Sequence, residues 1–204
     1  MPKRQRRDSS TRGVSRRRVD VREVRQRFLI VCEGERTEPN YFRAFRAPGL
    51  VVQVEGIGQQ ALRLVERALE LRGEREYDQV WCVFDRDDIP AEQFNRAIQL
   101  AESSGMQVAY SNEAFELWYL LHFHYYNTAI TRNDYIQRLG GLLGQPYSKN
   151  SETIFDLILT RQATAIENAR RLFAEYDPVR PAHDNPSTKV HLLVEALNRQ
   201  RHEK

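Results

Sequence analysis

The apolar run Phe28 to Cys32 stops at Glu33-Gly34, and the apolar run Val80 to Phe84 stops at Asp85-Arg86-Asp87-Asp88. An unbroken apolar run closed by a turn reads as a strand buried on both faces. Both groups of acids then stand at strand ends, where open α/β sheets bind their ligands. Along an extended strand end, Asp85 and Asp87 project to one side and Arg86 to the other. If those strands are neighbours in a sheet ordered 2-1-3-4, Glu33 joins them. Carboxylates held so close repel one another unless a cation lies among them, and hard oxygen donors select Mg2+ or Mn2+. Such an ion beside a phosphodiester activates water and neutralises the charge that develops on the phosphoryl oxygens. The expected metal set is therefore Glu33, Asp85, Asp87 and Asp88, and the expected chemistry is metal-assisted hydrolysis.

Other residues can add to that chemistry. Glu116 opens a helix after the fourth strand and reads either as a further ligand or general base, or as a first-turn acid favoured by the helix dipole. Lys149, in the loop before Ser151, can donate to a phosphate or can be a solvated surface lysine. The expected catalytic set is Glu33, Asp85, Asp87, Glu116 and Lys149. Glu38, in the first turn of a helix, reads as a dipole complement. His122 and His124 flank Phe123 and read as structural. Cys32 and Cys82 lie inside strand-like runs, which suits reduced packing residues rather than a disulfide framework. No G-x-x-x-x-G-K-[ST] phosphate loop occurs, so any ATP hydrolysis belongs to a partner.

The elements that must position these residues follow from periodicity. Strands are expected at 28–32, 50–54, 80–84 and 107–110, alternating with helices at 37–45, after Gly58, after Pro90 and at 113–123. That alternation indicates an α/β fold, a mostly parallel four-stranded sheet flanked by helices. Beyond residue 125 only helices are expected, at 132–139, 151–159, 163–176 and 188–199, the last capped by Ser187 or Thr188. The chain divides accordingly into a basic arm (1–26), an α/β core (27–124) and a helical extension (125–204). The loop from Gly140 to Asn150 is placed to reach the acidic face.

Charge is divided along the chain. The 204 residues carry a net +3, but residues 1–27 hold 11 of the 31 basic residues and three acids, a net +8, which leaves −5 for the remainder. Arg4, Arg6, Arg7, Arg16, Arg17 and Arg18 stand among Ser, Gly and Asp without apolar periodicity, as in a disordered arm that grips nucleic-acid phosphates or simply solubilises. No run approaches the roughly 18 apolar residues of a membrane span, and the N-terminus lacks a signal-peptide pattern, so a cytoplasmic protein without a membrane partner is expected.

The glutamate after one strand and the Asp-x-Asp after another about 50 residues on together resemble the Toprim domain of topoisomerases, primases and certain nucleases. In that domain the glutamate serves acid-base or metal chemistry and the aspartates bind magnesium, roles that map onto Glu33, Asp85 and Asp87. Leu29 to Phe42, Phe84 to Asp88, Ser111 to Phe123 and Asn185 to Val190 more narrowly resemble the RloB family, over residues 28–198. The third motif departs locally, with Glu113 and Ala114 in place of a Pro-Cys pair, while Phe115 and Glu116 are kept. RloB-like proteins accompany restriction-modification and abortive-infection loci, and the related AbiLii proteins pair with an ATPase. The resemblance implies a Toprim-like (Rossmann-like) nuclease for DNA or RNA, tRNA included, in antiviral defence with an ATPase partner. The alternatives are a non-catalytic nucleic-acid-binding or regulatory subunit and a phosphoacceptor built on Asp85 and Lys149. Self-association is left open.

Overall fold

The computed structural model describes residues 26–47 and 49–202. The arm arginines Arg4, Arg6, Arg7, Arg16, Arg17 and Arg18 lie outside the described residues. Strands β1 (Gln26–Cys32), β2 (Leu50–Gly56), β3 (Gln79–Asp85) and β4 (Gln107–Asn112) run parallel in the order β2-β1-β3-β4. Register pairs Cys32 with Gly56 and Val83, and Asp85 with Ser111, so the carboxyl ends form one rim.

Period-two alternation buries both faces of β1. Phe28, Ile30 and Cys32 face one core, and Leu29 and Val31 face the other. Helices α2 (Ala61–Glu74) and α3 (Ala91–Ser103) cover the second face. After Gly58 the spacing of Leu62, Val65 and Leu69 at i, i+3 and i+7 suggests an apolar stripe, but on α2 the buried stripe is Ala61, Leu64, Val65, Ala68 and Leu71, and Leu69 is exposed. Two small alanines on that stripe let the helix lie close to the strands, which decides the face over side-chain size.

The first face carries α1 (Thr37–Arg43), α4 (Glu116–Leu121), α5 (Arg132–Leu143), α6 (Ile154–Ile158), α7 (Gln162–Phe173) and α8 (Val190–His202). Residues expected as an extension share one apolar cluster with β1 and α1, including Leu139, Ala169 and Leu193. They also add a strand. Ser187–Thr188 forms β5, antiparallel to β4, so the sheet has five strands instead of the expected four. A two-residue strand has no periodicity to read; pairing with Ser111 and Asn112 creates it. Thr188 then caps α8, its hydroxyl accepting the Val190 N–H at 3.2 Å. Tyr41 packs edge-on against Phe115 and Trp118, with ring centroids 6.0 and 6.4 Å away, and so fixes α1 against α4.

Candidate active site

The carboxyl rim opens into a cleft of about 540 Å³ lined by six acids, Glu33, Glu35, Glu38, Asp85, Asp87 and Glu116, with Arg36, Arg132 and Lys149 as the cations. Glu33 follows β1, and its Oε2 accepts the backbone N–H of Asp85 at 3.1 Å. Asp85 closes β3 and is 7% exposed. Its Oδ2 accepts the Phe115 N–H at 3.1 Å, whereas Oδ1 is buried with no hydrogen-bond partner.

Asp85 and Asp87 do share one side, but a turn achieves it rather than strand alternation. β3 ends at Asp85, and Asp87 adopts φ +31°, in the left-handed region. Arg86 turns away, its Nε donating to Ala182 O at 3.2 Å and its Nη1 to Ile89 O. Asp88 is exposed and is not among the residues lining the cleft.

α4 begins at Glu116, three residues later than expected, and this carboxylate is 2% exposed. It accepts a hydrogen bond from Tyr147 Oη at 3.3 Å. The loop bearing Tyr147 continues to Lys149, whose backbone carbonyl accepts from Thr37 Oγ1 at 3.2 Å. The loop thus reaches the acidic face, and Lys149 keeps an exposed side chain at the mouth.

Two residues outside the expected catalytic and metal sets belong to this cleft, Glu38, expected as a dipole complement, and Arg132. Glu38 is buried, and its carboxylate accepts the Gly34 N–H. Its signal was present: Glu38, Tyr41, Phe42 and Phe45 follow i, i+3, i+4 and i+7, so the acid lies on the buried stripe. Arg132 carried no such signal. Thr131 and Asp134 form a capping box that fixes the start of α5. Arg132, in the first turn, then spans two acids, with Nη1 2.7 Å from Asp87 Oδ2 and Nη2 3.2 Å from Asp85 Oδ2.

Burial dominates the proton affinities. It raises Glu33 from 4.5 to about 7, reinforced by Glu38 and Asp87 and opposed by the Asp85 N–H and by Arg132. Asp85 is pushed well above the usual carboxylate range, first by burial and then by Glu38 and Glu116. Glu38 moves the same way, by burial and by Glu116. The cleft therefore favours protons or cations over bare negative charge.

Oxygen donors of this kind suit a hard divalent ion, and the unpartnered Asp85 Oδ1 is a free lone-pair site. Among the described residues, however, no group of three or more His, Cys, Asp or Glu side chains is disposed to hold one ion together. Arg132 supplies the positive charge between Asp85 and Asp87 instead. The remaining candidates lie outside the cleft lining. His122 is buried with Nδ1 2.9 Å from Trp118 O, His124 is exposed, and both cysteines are free and buried.

The model of the RloB-like protein family matches residues 28–197. The chain belongs to that family. Membership makes this RloB-like chain a restriction- and defence-related protein. No curated protein and no solved structure matches the chain. The family match ends within α8 and takes in Glu33, Asp85, Asp87, Glu116 and Arg132, so the whole cleft lies inside it. No helix among the described residues is long and apolar enough to cross a membrane.

Proposed function

We propose that this RloB-like chain is a Toprim-type, metal-dependent endonuclease that hydrolyses phosphodiesters of DNA or RNA, tRNA included, as a defence effector working with an ATPase partner. The observation that carries the reading is the convergence of Glu33, Asp85 and Asp87 at the switch between β1 and β3, with one buried aspartate oxygen left without a partner. Asp85 and Asp87 would hold Mg2+ or Mn2+, with Glu33 beside them. When bound, the ion supplies charge neutralisation at the phosphoryl oxygens and a more acidic attacking water. Glu33, held near pKa 7, accepts the proton of that water at its carboxylate. Lys149, exposed at the mouth, donates to the substrate's non-bridging oxygens. Glu116 and Glu38, buried in the same cleft, add to its affinity for a cation.

The test pairs cleavage with metal binding. Wild-type protein with Mg2+ should cut at least one of plasmid DNA, tRNA and total RNA, and Asp85→Asn should not, while melting at or above the wild-type temperature. Cleavage by Asp85→Asn at the wild-type rate sinks the assignment. The charge of Arg132 between the aspartates favours a second reading, a non-catalytic nucleic-acid-binding subunit. Calorimetry separates the two, because that subunit would show no saturable Mg2+ uptake near neutral pH and no cleavage.

A further inference from the structure

Away from the cleft, three aromatic rings within four consecutive residues each carry a guanidinium. Arg161 lies 5.1 Å from the Phe123 ring centroid, Arg171 lies 3.8 Å from Tyr125, and Arg138 lies 5.2 Å from Tyr126. Such contacts occur about once per 70–80 residues, so three on one short stretch is a local concentration. The stretch is the loop between α4 and α5. It is flanked by Arg138 of α5 on one side and by Arg161 and Arg171, at the two ends of α7, on the other. Asn168 of α7 donates to Leu121 O at 2.8 Å and ties the end of α4 to that helix.

The charge there runs against the rest of the body, whose net charge is negative. All three arginines are exposed, and among the described residues none of them makes a salt bridge, whereas the adjacent Arg170 pairs with Glu195 at 2.9 Å. Two acids beside the strip are engaged otherwise: Glu175 accepts from the Tyr125 hydroxyl, and Asp134 caps α5. We propose that this strip binds a single strand of nucleic acid, with bases stacking on the ring and guanidinium planes and phosphates facing the free charges. A duplex hides the faces of its bases, so an aromatic and arginine platform selects unpaired ones. Arg161 and Arg171 are ten residues apart, about 15 Å along a helix, which spans roughly four nucleotides at 3.4 Å each. The loop ends where α5 begins, and the first residue of that helix, Arg132, lines the cleft.

This inference takes its ligand class from the proposed nuclease reading, and the experiment keeps the two separable. Binding of the full chain to labelled 12-nucleotide oligo-U and oligo-dT is followed by anisotropy in EDTA, from 50 to 300 mM salt. Tyr125→Ala and Tyr126→Ala should each weaken binding about tenfold at every salt concentration, with unchanged salt slope, because stacking releases no counterions. Arg171→Gln should weaken it and reduce the slope by about 0.7. Tyr125→Phe should bind as wild type, and a hairpin duplex of equal length should be indifferent to the tyrosine substitutions. Wild-type affinity in the Tyr125→Ala, Tyr126→Ala double variant, or equal weakening for the duplex, overturns the strip. Should that variant melt early, the exposed triple variant Arg138→Gln, Arg161→Gln, Arg171→Gln decides in its place, and unchanged affinity there is equally fatal. A chain that binds through the strip but never cuts with Mg2+ removes the nuclease reading alone. One that cuts yet binds equally well without these side chains removes the strip alone.

Discussion

Arg132 Nη1 lies 2.7 Å from Asp87 Oδ2, and the same guanidinium reaches Asp85 Oδ2 at 3.2 Å through Nη2. One side chain thus bridges two carboxylates that the strand ends bring together. A divalent ion at those aspartates must share the position with this charge or displace it.

Removal of that charge is the first prediction. Arg132→Gln should tighten Mg2+ or Mn2+ binding measured by calorimetry, because the competing cation is gone. Without metal the variant should be less stable by about 1–3 kcal/mol at pH 8, between the cost of breaking an exposed pair and that of breaking a fully buried one, because Arg132 is 29% exposed. Mg2+ should restore the difference. Unchanged metal affinity would show that Arg132 and the ion do not compete.

Gly34 is the second test. A Cβ at this position would overlap the Glu38 carboxylate, which rests on the Gly34 amide. Gly34→Ala should cost about 1–3 kcal/mol in urea unfolding. Combined with Glu38→Ala, the penalty should shrink, and the double-mutant cycle should show a coupling of at least about 0.5 kcal/mol. Simple additivity would mean that the backbone, not Glu38, resists the methyl group.

Asp87 separates backbone from carboxylate. At φ +31° a glycine is at ease and an alanine is not. Asp87→Ala should therefore melt lower than Asp87→Gly, by about 1 kcal/mol. Both should lose cleavage to the same extent, since both lack the proposed ligand. Retained activity in Asp87→Gly would confine the residue to a turn-forming role.

Acid stability depends on His122 and His191, each lowered by burial from 6.5 to about 4. A depressed folded-state value means that the contribution is full above pH 6.5 and is lost as pH falls toward 4. Each histidine represents on the order of 3 kcal/mol across that window. Glu33 works in the opposite sense: raised to about 7, it favours the fold below pH 4.5, and that contribution is lost as pH rises through 7. Urea melts of wild type and His122→Gln isolate the histidine. The gap between them should shift in favour of the variant between pH 6.5 and 4.5, and a pH-independent gap would refute the buried neutral imidazole.

The arm gives a fifth prediction. β1 begins at Gln26, at the end of the sheet opposite Glu33, so the arm joins the body about 20 Å from the cleft for a seven-residue strand. Replacing Arg16, Arg17 and Arg18 with glutamine should reduce substrate affinity and its salt slope, with single-turnover cleavage at saturation retained. An unchanged slope would leave the arm a solubilising role.

Much of this molecule is written in local pattern. The apolar runs around Ile30 and Cys82 specify strands buried on both faces, and the alternation of strands with helices specifies a parallel sheet, because only crossover helices can cover both faces. Glu33, Asp85 and Asp87 were legible because strand ends are where such a sheet exposes function. Glu38 was read as a dipole complement, although its spacing to Tyr41 and Phe42 places it inward. Other features exist only once distant segments meet. Ser187–Thr188 becomes a strand by pairing with β4, Asp87 faces Asp85 through a turn, and Arg132 enters the cleft because α5 packs beside α4. Periodicity reports which face of an element is buried but not which charged side chain from 45 residues away will meet it. The sequence by itself therefore determined the sheet and the acids at its rim, whereas the tertiary structure decided which cation answers them, a matter of long-range packing and charge.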